Sequence, residues 1–146
     1  MRLSRDEVGT AIVEFVWLAI LLLVPMLYVL LSVFEVQRSA YAASAAARSA
    51  SRAFVTSPDQ VAGLARARAA AGLAFADQGI RSGFGLVVAC RPDPDRCLVP
   101  GSVVTVRIEA RAPLPLLPSF LGGEAPAVAV RAEHRSPYGT FREARP

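Results

Sequence analysis

The hydrophobic pattern of this chain changes character along its length, and each change predicts an element. From Thr10 to Phe34, TAIVEFVWLAILLLVPMLYVLLSVF, the chain is apolar on every helical face; Glu14 is the single charge in these 25 positions, and Phe15 to Phe34 carries none. Twenty residues rising about 1.5 Å each cover roughly the 30 Å hydrocarbon core of a bilayer. A core helix in a small domain would need a polar face, and this run has none, so residues 10–34 are predicted to cross a membrane. Pro25 falls in the middle of the run, removes one backbone hydrogen bond and predicts a helix kink. Beyond Phe34 the pattern becomes one-sided. Residues 35–54 are Ala-rich without Gly or Pro, which favours helix. Arg38, Arg48 and Arg52 fall within about 80° on a helical wheel, and Val36, Ala43, Ala47, Ala50 and Phe54 lie opposite. The first helix is therefore expected to continue as a stem over 35–56, with a narrow face of small residues suited to close packing. From Thr10 to Phe54 it would be about 68 Å long.

Ser57-Pro58-Asp59-Gln60 reads as a helix start, with Ser57 as N-cap and proline in the first turn. The second helix is predicted from Pro58 to about Gln78, ending at Gly79, with Val61, Leu64, Arg68, Ala71 or Gly72, and Phe75 on one face. Gly83 and Gly85 mark a loop. The spacing then switches to strands. GLVVAC, ending at Cys90, is a short one. Ser102 to Ala112 alternates, with Val104, Val106, Ile108 and Ala110 on one face and Thr105, Arg107, Glu109 and Arg111 on the other. Ala127 to Glu133 alternates likewise, with Val128, Val130 and Ala132 inward. Between the longer strands lies PLPLLPSFLGGE. Loops are normally polar, so Leu114, Leu116, Leu117, Phe120 and Leu121 either fold back on the core or touch a partner. The charged tail from Ser136 shows no periodicity.

Composition narrows the function classes. About 112 residues remain after residue 34, enough for one modest domain. The formal charge is +4, carried by arginine alone, without a lysine. These arginines are scattered singly among acids without aromatic interleaving, unlike a nucleic-acid-binding surface. Cys90 and Cys97 flank RPDPDR and are the only cysteines. Two thiols are too few for a structural zinc site, and the single histidine, His134, lies about 37 residues further on in a strand. A disulfide closing a turn between strands fits this spacing and implies an oxidising compartment; two reduced thiols are the alternative. The chain contains no paired histidines, no Ser/His/Asp set in a plausible context and no glycine-rich phosphate loop after a strand. It is expected to be no enzyme, with no cofactor, no metal and no small-molecule substrate.

The start of the chain carries a further pattern: the polar leader MRLSRDEV, then Gly9, Thr10, and Glu14 followed by Phe15. This arrangement resembles the type III signal of type IV pilins and pseudopilins, in which a glycine ends a short leader and glutamate is the fifth mature residue. More narrowly, GTAIVEFVWLAILLLVPMLYVL is similar to the TadE-like pseudopilins of tight-adherence (Flp) pilus systems, over about the first 45 residues. Thr10 stands where many pilins carry Phe or Met. The resemblance implies cleavage after Gly9 by a prepilin peptidase and a new ammonium at Thr10. Glu14 would then serve assembly by pairing with that ammonium, within one chain or between neighbours; snorkelling of Glu14 to the headgroups is the bland alternative. A cleavable secretory signal fits poorly, because the apolar run is longer than such signals use and contains an acid. Arginines near both ends of the span leave the positive-inside rule silent. Orientation therefore rests on the resemblance and on the cysteines, which place the N-terminus in the cytoplasm and the head outside the cytoplasmic (inner) membrane.

These readings converge on an α+β, pilin-like architecture. Residues 1–9 form the leader, 10–34 the transmembrane segment, 35–56 the helix extension, and 57–146 a head with a second helix, a short antiparallel sheet and a charged tail. The expected function is that of a non-catalytic pseudopilin or minor pilin in a tight-adherence pilus or related secretion filament. Its expected partners are the membrane, prepilin peptidase, other pilin subunits and the Tad secretion machinery, with no nucleic acid. The alternative is an unprocessed single-pass envelope protein that binds a partner through its head.

Overall fold

The computed structural model describes residues 6–114 and 127–145, with the backbone alone described for 6–10. Its elements run α1 (Asp6–Val55), α2 (Gln60–Asp77), β1 (Phe84–Arg91), β2 (Val103–Pro113) and β3 (Ala127–Pro137). The architecture is the expected α+β, pilin-like one: a long apolar N-terminal helix, a second helix and a three-stranded antiparallel sheet in the order β1-β2-β3. With 50 residues, α1 is about 75 Å long. It continues without interruption through Pro25, whose missing N–H leaves the Leu21 carbonyl without its helical donor.

The C-terminal part of α1 forms the spine of the head. Ala43, Ala47, Ala50 and Phe54 are buried, while Arg38, Arg48 and Arg52 are exposed, as the wheel predicts; Ala42 and Ala46 are buried besides, and Val36 is only half-buried. Methyl-sized side chains let α2 and the sheet approach the α1 backbone closely. In α2 the buried positions are Gly63, Ala67, Ala71 and Phe75. A β-carbon on Gly63 would come within 3.0 Å of the Phe54 ring.

Of the predicted face of α2, Ala71 and Phe75 are buried, and its first half is corrected by this packing. Val61 is 83% exposed, Arg68 is exposed and Leu64 only half-buried. Helix contact here selects small residues for closeness at Gly63 and Ala67, so the first half of the buried stripe turns away from Val61 and Leu64. The start of α2 is corrected too. Asp59, not Ser57, is its N-cap, accepting from the Ala62 N–H at 2.7 Å. Ser57 instead donates to the Ala53 carbonyl at 2.7 Å, which ties it to the end of α1. At the other end Gln78 is the C-cap, and Gly79 at φ +69° turns the chain out of the helix.

The sheet presents one face to the helices. Val104, Val106, Ile108, Ala110 and Ala112 of β2 are buried, as alternation requires. Their neighbours in register include Leu86, Val88 and Cys90 of β1 and Val130, Ala132, His134 and Ser136 of β3. Val128 is more exposed than predicted, at 39%, because it lies at the open end of an edge strand. Phe84 stacks on Phe75 with ring centroids 5.0 Å apart, joining β1 to α2.

Cys90 and Cys97 form a disulfide across the β1–β2 connection, and both are buried. Closing a loop this short contributes roughly 2–3 kcal/mol by chain entropy. The connection is further held by Gln60, whose Nε2 donates to the Asp95 carbonyl at 2.9 Å, and by Ser102, whose hydroxyl donates to the Cys97 carbonyl.

The tail differs most from expectation. β3 runs through Ser136 to Pro137, and Tyr138 is 1% exposed. The Tyr138 hydroxyl donates to the Glu143 carbonyl at 2.7 Å, and the Arg145 amide donates to the Leu98 carbonyl at 2.7 Å. Arg142 and Arg145 donate to the carbonyls of Val55 and Ser57 at 3.0 and 2.9 Å, placing cations at the negative end of α1. Single long-range contacts of this kind leave no periodic trace in a sequence.

Candidate functional site

The feature with the plainest functional meaning is the uncovered half of α1. Every apolar side chain from Ala11 to Leu27 is exposed, including Phe15 at 71% and Trp17 at 67%, and no described part of the head reaches them. A sleeve of apolar surface about 30 Å long far exceeds the patches that water-soluble monomers tolerate. Its length and composition make it a candidate membrane span, the one such helix among the described residues. One of its few polar groups is handled locally. The Ser32 hydroxyl donates to the Tyr28 carbonyl at 2.8 Å, so it presents no free donor to an apolar medium. Just past the last apolar residues, Glu35 and Arg38 pair at 2.8 Å, one helical turn apart. Pairing lowers the cost of holding charges at the edge of the apolar zone.

At the other end of the span Glu14 is exposed, four residues after Thr10 in the same helix. Gly9 and Thr10 lie in helical backbone one turn before it. Among the described residues Glu14 therefore has no side chain of the head beside it, and a charge at its depth would need a headgroup, another chain or a chain terminus. Within one helix, residues four apart are neighbours. A terminal amine at residue 10 would accordingly share the level of the Glu14 carboxylate.

The other predicted residues separate into three groups. Cys90 and Cys97 come together, at the end of the head where α2 begins. Leu114 is half-buried beyond the end of β2, whereas Leu116, Leu117, Phe120 and Leu121 lie outside the described residues. His134 is half-buried in β3, opposite Val106, and among the described residues no three His, Cys, Asp or Glu side chains gather as a metal site would require.

Two further surfaces emerge only in the folded chain. An open groove of about 530 Å³ runs between α2 and the edge strand β1, bounded by Phe54, Val61, Leu64, Leu86 and Val88. Its signal in the sequence is Val61 and Leu64, which helical spacing alone places on the packed face. The solvent side of the sheet carries a ladder of ion pairs in which Glu133 accepts from Arg107 at 2.9 Å and from Arg135 at 3.0 Å. Those two hydrogen bonds, the one from Arg107 foremost, hold the Glu133 carboxyl below its ordinary value of 4.5. Here the signal was the alternating charge of the strands, legible only once their register is known. The chain matches no protein-family model, no curated protein and no solved structure.

Proposed function

We infer that this chain is a non-catalytic, membrane-anchored pilin-like subunit that enters a tight-adherence pilus or a related secretion filament. The observation that carries the reading is the single unbroken α1, bare and apolar over its first half and built into the core of a small head over its second. Such a helix places a folded head at a fixed height above a bilayer. It also offers an apolar rod that can exchange lipid for neighbouring subunits without refolding the head. The spacing of Gly9, Thr10 and Glu14 supports the narrower assignment, since cleavage after Gly9 creates an amine one turn from an acid. Glu14 then guides docking, because a carboxylate in apolar surroundings is stabilised by a neighbour's amine. In this reading the head lies outside the cytoplasm, where the Cys90–Cys97 disulfide persists.

The test is N-terminal sequencing of protein extracted from membranes, in parent and Gly9→Val forms. The expected outcome is a mature chain starting at Thr10 and an uncleaved variant. Met1 at the start of both would leave an unprocessed anchored binding protein, a reading that the open groove between α2 and β1 favours. Glu14→Ala should insert and be cleaved normally but yield few surface filaments when co-expressed with the remaining pilus components. Parent-level filament numbers would remove the pairing role.

A further inference from the structure

The outer face of the sheet carries a charge pattern that neither the stem nor the core uses. β2 places Arg107, Glu109 and Arg111 on this face, and β3 places Arg131, Glu133 and Arg135 there, so the string Arg-x-Glu-x-Arg occurs twice. The antiparallel register sets Arg107 opposite Glu133 and Glu109 opposite Arg131. These four charges neutralise one another, with contacts of 2.9 Å between Arg107 and Glu133 and 3.0 Å between Arg131 and Glu109. Because the two strings are staggered, cations remain at both ends of the quartet. Arg111 stands at one end, opposite Ala129. Arg135 stands at the other, near Arg91 of β1, and shares Glu133 with Arg107. Five arginines against two glutamates leave this face a formal +3. A shallow hollow lies at each end, about 320 Å³ beside Arg91 and Arg135 and about 390 Å³ beside Arg111 and Arg131. Among the described residues Arg91 and Arg111 make no ion pair.

We propose that this outer face is a docking surface for an acidic protein segment, whose carboxylates meet Arg111 at one end and Arg91 with Arg135 at the other. The two ends are six residues apart along the strands, about 20 Å. Charge complementarity names the sign of the partner, and the guanidinium fork, which takes a carboxylate through two parallel hydrogen bonds, suits an acidic side chain. The fixed glutamates narrow the class further. A polymer charged every few ångströms, such as polyphosphate, must pass over Glu109 and Glu133, whereas a protein segment can set a cation or a neutral group there. A lipid surface is disfavoured by direction. The helices cover the inner face, so the outer face looks away from α1, sideways rather than down when α1 crosses a bilayer. The proposal stands whether or not the chain enters a filament.

The test uses the full chain in phosphatidylcholine nanodiscs and a 24-residue peptide repeating Glu-Thr-Arg-Thr-Glu-Thr. Binding is expected at low salt, to weaken several-fold between about 0.05 and 0.5 M salt, and to weaken about fivefold in Arg91→Gln/Arg111→Gln, the equivalent of two exposed charge pairs. These arginines lie outside the ion-paired quartet, so the variant should keep the parent's melting temperature. Arg66→Gln/Arg68→Gln, which removes two exposed arginines of α2, should bind like the parent. No measurable binding of the peptide would overturn the proposal, as would an equal loss in the α2 variant. Tighter binding of polyphosphate, or capture by phosphatidylglycerol vesicles that depends on Arg91 and Arg111, would equally overturn it in favour of those partners.

Discussion

Two side chains show how local chemistry sets the stability of the head. Ser39 is 2% exposed, and its hydroxyl has no hydrogen-bond partner among the described residues. A buried donor left unmade costs free energy, and serine is a poorer helix former than alanine. Ser39→Ala is expected to stabilise the protein by roughly 1 kcal/mol, read as a rise in melting temperature in detergent; a fall would mean that the hydroxyl has a partner. Glu133 works through pH. Its carboxyl is held below 4.5 by hydrogen bonds from Arg107 and then Arg135, so folding favours the ionised form. A depressed carboxyl contributes stability that is fully present above its unfolded value and is lost as pH falls through the folded one. The parent should therefore melt above Glu133→Gln at pH 7, and the gap should close as pH drops below about 4.5. A gap that is constant across this range would locate the effect in packing instead.

Among the elements, the α1–α2 contact is the most sensitive to volume. Gly63 is buried on α2, and a β-carbon there would meet the Phe54 ring at 3.0 and 3.2 Å and the Phe54 carbonyl at 3.4 Å. The ring is a side chain that can shift, but the carbonyl belongs to the α1 backbone itself. Gly63→Leu is expected to destabilise by about 2 kcal/mol or more through overpacking, measured as a loss in urea midpoint at unchanged slope. An unchanged midpoint would show that α2 slides on α1. Opposite-charge contacts at the end of α1 act in the other direction. Arg142 and Arg145 tie the tail to carbonyls that the helix leaves unpaired, joining the last residues to the turn between the helices.

For the molecule as a whole, the notable fact is where the core begins. All core residues among those described lie at or beyond Ala42, with Val36 packed against them, while the span contributes nothing to the core. Folding of the head is thus separable from the apolar first half of α1. A chain lacking residues 1–34 should be a water-soluble monomer with the melting temperature of the full protein in detergent. Aggregation during gel filtration, or a much lower melting temperature, would show that the span supports the head.

The sequence by itself determined the elements whose cause is local. The apolar run of 10–34, the amphipathic stem and the alternation of Val104, Val106, Ile108 and Ala110 each follow a local pattern, so the long apolar helix, its stem and the central strand are legible in the right order. The cysteine pair was legible as well, because one bridge over a short loop leaves few alternatives. Tertiary structure decided what depends on partners distant in the chain. Closeness to α1 chose Gly63, Ala67 and Ala71 over Val61 and Leu64 as the buried face of α2, although transfer from water alone favours the larger pair. The end of α1 recruited Ser57, leaving Asp59 to cap α2. Strand register set Arg107 against Glu133 and left Arg91 and Arg111 without partners among the described residues. The tail packed because Tyr138, Arg142 and Arg145 each reach one distant backbone group. Periodicity reports an average environment along one element, whereas these choices depend on the fit between two.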